Sequence, residues 1–166
     1  MRSLLLLGLL AFVLLQLAPA PYSITTPPID KKLVVDADPD VPPPVKRILR
    51  RACMDCHSNE TRIPWYGRVA PASWLLAKDV TEGRQAMNFS DWGSRGAAVH
   101  MAMAAAACEH VRRGRMPKPQ YLMIHPEARL SSADIEVMCG WSKAALAAMS
   151  KKKKQTENRT QDATKR

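Results

Sequence analysis

The sequence predicts a small all-α domain. Three observations lead there: apolar residues recur at helical spacing in four segments, no segment alternates as a strand does, and glycine or proline punctuates the segment ends. Pro44 suits a helix first turn, and Val45, Ile48, Leu49 and Ala52 follow on one stripe. That helix runs directly into Cys53-Met54-Asp55-Cys56-His57. A loop from Ser58 to Tyr66 contains a Pro64-Trp65-Tyr66 turn. Pro71 opens a second helix, with Trp74, Leu75, Lys78 and Val80 leading to about Arg84. A third is expected from Trp92 to Arg113, capped by Asp91, with an Ala-rich centre of high helix propensity and a stop at Gly114. Met116-Pro117-Lys118-Pro119 cannot be regular helix or central strand. The last helix begins at Ser131, paired with Asp134 in a variant of the capping box, and carries Ile135, Met138, Cys139, Ser142 and Leu146 on one stripe.

Both ends lie outside this domain. Met1-Arg2 precedes an apolar run from Leu4 to Leu17, and Ala18-Pro19-Ala20 supplies the small residues of a signal-peptidase site. This is the plan of an export signal, expected over residues 1–20. The run is short for a spanning helix, which needs roughly 20 residues, and Pro21 disfavours cleavage after Ala20, so a retained anchor or tether through residues 4–17 is the alternative fate. Either way the expected location is periplasmic. From Pro19 to Pro44 the chain holds eight of its 13 prolines, so residues 21–44 read as a stiff spacer ahead of a domain at 45–149.

The formal net charge of +10 invites a nucleic-acid partner only if it sits on the folded part. Residues 150–166 hold seven basic and two acidic side chains, a net +5, with no apolar period, and read as a disordered tail. Arg2 carries one more, which leaves +4 on residues 21–149. No nucleic-acid partner is expected.

The Cys53-x-x-Cys56-His57 pattern carries the chemistry. Two thiols three residues apart can reach the vinyl groups on one haem edge as thioethers, and His57 can then place an imidazole nitrogen on the iron. A thiol redox pair would favour a helix N-terminus, whereas this pair ends a helix. A structural zinc site would need a second ligand pair, and Cys108 and Cys139 stand thirty-one residues apart. Covalent haem c, with its iron, is therefore the expected cofactor. For the sixth iron position Met116 is the first candidate, because it follows a helix end in a proline-stiffened loop. His125, ahead of Pro126, is the bis-imidazole alternative. Met123, His100 and His110 compete less well, the two histidines because a lone helical His is usually a surface or satisfied core residue. Cys108 and Cys139 either form a disulfide, as an exported chain allows, or remain two buried thiols. Trp65, Tyr66, Trp74, Trp92 and Trp141 read as packing residues around a large apolar ring.

The run CMDCHSNETRIPWYGRVAPASWLLAKDVTEGRQAMNFSDW, followed by MPKPQYLMIHPEARLSSADIEVMCGW, closely resembles the bacterial haem-binding domain family of small exported cytochrome c-like proteins. The resemblance covers about Val45 to Trp141. It implies a small cytochrome c-like helical domain wrapped around a covalently attached haem, held through Cys53, Cys56 and His57, with Met116 as axial partner. Lys118 departs from the pattern, standing where a second consecutive proline is expected.

Two classes of function follow. A one-electron carrier needs both His57 and Met116 on the iron and a docking surface; Arg112, Arg113, Arg115 and Lys118 flank Met116 and would steer an acidic redox partner. A haem enzyme or sensor, peroxidase or gas-binding, needs an open or labile sixth site with distal groups such as His100 or His125. No acid–base pair is evident for it, so a carrier or haem-binding module is expected rather than an enzyme.

Overall fold

The computed structural model describes residues 1–164. The described residues are helical and contain no strand: α1 (Arg2–Leu17), α2 (Pro43–Ala52), α3 (Met54–His57), α4 (Ala72–Ala86), α5 (Ala97–Arg112), α6 (Pro119–Leu122) and α7 (Ser132–Thr164), with short 3-10 turns between them. The fold is all-α, as the sequence predicts. The chain forms two compact units, one of Met1–Pro28 and Met54–Asn88, the other of Ile29–Cys53 and Phe89–Arg166.

In the first unit, α4 is the organising element. Leu76, Ala77, Val80 and Gly83 are buried along one stripe, and both α3 and the 3-10 turn Trp65–Arg68 pack against this helix. The turn can lie that close because Gly67 has no side chain; a Cβ there would stand 2.6 Å from Leu76 Cδ2. Just after this turn, the Gln16 side-chain amide exchanges two hydrogen bonds with the Ala70 backbone, at 2.9 and 3.2 Å. The residues of α1 are otherwise exposed apart from Leu15. No helix among the described residues is long and apolar enough to cross a membrane, so the anchor reading has no spanning helix behind it.

The second unit is built on α5 and α7. The short side chains of the Ala-rich α5 allow a close approach, and Cys108 and Cys139 join the two helices as a disulfide with Cα atoms 4.8 Å apart. Of the two fates open to these cysteines, this is the one observed. Trp92, Phe89, Met138 and Leu49 are among the largest fully buried side chains. Trp92 stacks on His100 with ring centroids 4.0 Å apart and lies 5.8 Å from Trp141, and its Nε1–H donates to Asp38 Oδ2 at 2.6 Å. The stripe expected on α2 is present: Val45, Ile48 and Leu49 are buried. Arg50 and Arg51 on its last turn pair with Asp36 at 2.6 Å and Asp134 at 2.8 Å, each complementing the C-terminal dipole.

Three segments depart from the sequence expectation. Asp91 does not cap α5: Phe89–Ser94 forms a 3-10 turn and α5 starts at Ala97 after Gly96, with no side-chain cap. Gly93 and Gly96 weaken a continuous helix there, and Gly93 N–H is drawn aside to the Leu33 carbonyl at 2.7 Å. The second half of the Pro-rich spacer is packed: Val34, Val35 and Val41 are buried, and Lys46 Nζ donates to the carbonyls of Asp36 and Asp38 at 2.8 and 2.6 Å. In the tail expected to be disordered, the backbone continues α7 to Thr164, because no glycine or proline follows Gly140 to stop a run rich in helix formers. Residues 165 and 166 of that tail lie outside the described residues. The start of α7 matches the expected box: Ser131 Oγ accepts from Asp134 N–H at 3.1 Å, and Asp134 Oδ2 accepts from Ser131 N–H at 2.9 Å.

Candidate functional site

The motif begins where α2 ends. Cys53 is the C-cap residue, its N–H bonded to the Leu49 carbonyl at 2.9 Å, and the chain re-forms one helical turn as α3, which carries Cys56 and His57. Cys53 and Cys56 both remain thiols and are part-buried. Cys53 belongs to the second unit, Cys56 and His57 to the first.

His57 is oriented by backbone. Its Nδ1 lies 3.1 Å from the carbonyl oxygen of Met87, the C-cap residue of α4. A carbonyl can only accept, so Nδ1 carries the proton, and in the neutral ring the lone pair is on Nε2. That is the tautomer in which Nε2 serves as a metal ligand, with the Nδ1 bond fixing the ring and raising its basicity. Met87 escaped the sequence reading because its side chain plays no part. Its only advance signal is the end of the α4 pattern, where a helix carbonyl becomes available.

The segment after His57 folds back on α3. Buried Ser58 donates its hydroxyl to the Met54 carbonyl at 2.7 Å and accepts Glu60 N–H at 2.9 Å. Thr61 Oγ1 donates to the Asp55 carbonyl at 2.7 Å, and Asp55 also pairs with Arg62 at 3.2 Å. The Ser-Asn-Glu-Thr run that follows the Cys-x-x-Cys-His pattern is therefore the lock on its own loop. Burial draws the Arg84 guanidinium below its ordinary pKa, and the Cys56 sulfur acts in the opposite sense.

The other candidates lie in the second unit. Gly114, at φ +64°, ends α5 as expected, and the N–H groups of Arg115 and Met116 both return to the His110 carbonyl, at 2.9 and 3.3 Å. Met116 is part-buried at the head of the proline loop, and the Met116–Pro117 bond is cis. His125 stacks on Tyr121 at 4.2 Å and its Nδ1 lies 3.0 Å from Glu127 Oε1. His100, stacked on Trp92, has Nε2 2.7 Å from the Trp92 carbonyl. His110 is exposed, and so is Met123. Of the basic residues beside Met116, Arg113 is paired with Glu109, while Arg112 and Arg115 are exposed. The tryptophans divide: Trp92 and Trp141 are buried, Trp74 is part-buried and Trp65 is 78% exposed. A cavity of about 450 Å³ in this unit is lined by Trp92, His100, Met101 and Trp141 with Asp38 and Asp40, and it contains none of the motif residues.

No curated protein and no solved structure matches the chain. The model of the haem-binding domain family matches residues 10–144, most of its length, and on that match the chain belongs to the haem-binding domain family.

Proposed function

We propose that this haem-binding protein is an exported c-type haem protein that carries single electrons. The observation that carries the reading is His57, held as the Nε2 ligand tautomer by the Met87 carbonyl immediately after two cysteines that remain thiols. This donor set fits the group. Cys53 and Cys56 would hold the haem as thioethers, each S–H adding across one vinyl C=C with its hydrogen going to the terminal vinyl carbon and no net oxidation. When bound, the haem iron supplies one-electron exchange between its ferric and ferrous states. In this proposal His57 Nε2 would hold the iron and the Met116 thioether would be its second protein ligand, an assignment resting on its loop. A thioether favours ferrous iron and raises the reduction potential relative to a second imidazole.

Two features support export. The N-terminal segment has the n-region, apolar core and small-residue plan of a signal, and a disulfide between Cys108 and Cys139 belongs to an oxidising compartment. Arg112, Arg115 and Lys118 beside Met116 are the proposed docking cations for an acidic redox partner, with Arg113 already engaged by Glu109. The competing enzyme or sensor reading needs distal groups, and both candidates already have partners within their own unit: His100 the Trp92 carbonyl, His125 the Tyr121 ring and Glu127.

The test is the absorption spectrum of the full chain exported from a host that matures c-type cytochromes. The haem should stay with the polypeptide through acid–acetone extraction and be six-coordinate and low-spin. Met116→Ala should turn it high-spin while His125→Ala leaves it unchanged; the reverse pattern moves the ligand to His125. Extractable haem refutes covalent attachment, and rapid carbon monoxide binding to the reduced wild type refutes the closed-site carrier. N-terminal sequencing of the same sample separates cleavage after Ala20 from retention of the segment.

A further inference from the structure

We infer that the C-terminal end of α4 with the two residues that follow it, residues 83–88, is the positioning element for the haem-attachment segment, with Gly83 and Arg84 as the residues that set the orientation of His57. The inference rests on the proposed haem ligation by His57 and deepens it. Four positions on this helix end meet successive parts of the segment that starts at Cys56. Gly83 lies against the Cys56 backbone: a Cβ at Gly83 would stand 2.6 Å from the Cys56 carbonyl oxygen, 3.1 Å from its carbon and 3.3 Å from Cys56 Cβ. Arg84 donates Nε–H to the Ser58 carbonyl at 2.7 Å and an Nη2–H to Thr61 Oγ1 at 2.9 Å, while Nη1 bonds the Thr25 carbonyl at 2.6 Å. The Met87 carbonyl takes the His57 Nδ1 proton, and Asn88 Nδ2 donates to Asn59 Oδ1 at 3.0 Å.

The order of these contacts carries the argument. Gly83 fixes how closely α3 approaches, and its own carbonyl accepts the Met87 N–H at 2.9 Å; Met87 then leaves the helix in extended backbone, φ −164° and ψ 122°, with its carbonyl facing His57 Nδ1. Arg84 and Asn88 hold the chain on the far side of the histidine, so the imidazole is bracketed by fixed backbone at both ends. A glycine within a helix is otherwise unfavourable against alanine. Here its missing Cβ is what brings the motif and the orienting carbonyl together, and the backbone at Gly83 needs no special φ.

The experiment compares wild type, Gly83→Ala, Arg84→Gln and Arg84→Lys as full chains, apo and haem-loaded. In the apo chain, ring nitrogen-15 shifts report the His57 tautomer. Wild type should show the Nδ1–H form, and Gly83→Ala and Arg84→Gln should shift toward the Nε2–H form that dominates for a water-exposed imidazole. In the loaded chain, loss of the Nδ1 bond makes His57 a weaker donor to iron, so both variants should have a higher midpoint potential with covalent haem content unchanged. Arg84→Lys, which keeps one donor and the charge, should recover part of the shift. Gly83→Ala and Arg84→Gln both with wild-type tautomer and potential would overturn the inference. Should Gly83→Ala not fold, the Arg84 pair decides alone. A wild type without covalent haem would refute the c-type reading, and the apo tautomers would still decide this one.

Discussion

The Cys108–Cys139 bond makes a quantitative prediction about the second unit. It closes a loop of 31 residues between α5 and α7. In the chain-entropy description, restricting the unfolded state over such a loop stabilises the fold by about 3.7 kcal/mol at 25 °C, from roughly 12 cal/mol/K. For a chain of this size one kcal/mol moves the melting temperature by about 2–4 °C, so the double variant Cys108→Ser/Cys139→Ser should melt roughly 7–15 °C lower. The assay is thermal unfolding followed by far-ultraviolet circular dichroism, with a urea titration whose slope should rise as the unfolded chain loses its constraint. Reductant should bring the wild type down to the same temperature and leave the double variant where it is. Thioethers do not respond to thiol reductants, so the proposed haem attachment would not be confounded with this readout. A double variant within about 1 kcal/mol of wild type, together with an unaltered wild type in reductant, would refute the claim that the bond constrains the unfolded chain.

Other consequences are as direct. Asp134 accepts from Ser131 and Arg51, so Asp134→Ala should cost about 1–2 kcal/mol in urea unfolding. The same hydrogen bonds, the Ser131 backbone N–H first, hold its carboxyl below the ordinary 3.8. A depressed folded value means the stabilisation is present above the unfolded pKa and disappears as pH falls through the folded one. The gap between wild type and Asp134→Asn should therefore be complete at neutral pH and close on acidification below about pH 4. Trp92→Phe removes the donor to Asp38 within the buried ring cluster and should destabilise by about 1.5–3 kcal/mol by urea titration with circular dichroism detection. Deleting residues 150–166 should leave the melting temperature within the equivalent of about 0.5 kcal/mol, because the described side chains beyond Met149 are exposed.

Much of this architecture is legible in the sequence wherever the deciding contact is local. The α2 stripe, the Gly114 stop and the Ser131–Asp134 box each involve residues within one or two turns of each other, and each stands where the residue types place it. What the sequence hides is decided by partners far along the chain. Asp91 has the chemistry of a cap, yet the pull of the Leu33 carbonyl on Gly93 ends the turn before α5 begins. The prolines between Pro19 and Pro44 argue for a spacer, while Val34 and Val35 within them were the trace of burial. At the site, Cys53, Cys56 and His57 are readable as a motif, but the group that orients His57 is a main-chain carbonyl thirty residues on, which no side-chain pattern marks. Gly83 had a visible trace, a glycine inside a helical pattern, whose meaning depends on which backbone passes beside it.

Under the proposed haem attachment, the four cysteines need opposite outcomes. One pair is closed across α5 and α7, while the other must stay reduced if it is to add to haem vinyl groups. An oxidant that closes the first pair can also join Cys53 to Cys56, three residues apart, and a chain trapped that way could accept no thioether. Biogenesis of this protein is therefore a problem of sequence in time. Either folding brings Cys108 and Cys139 together and spends the oxidant there, or a dedicated reductant reopens the motif before the cofactor arrives. Under the proposed covalent attachment, the same chain would depend on both oxidation and reduction, at two places, before its cofactor is in position.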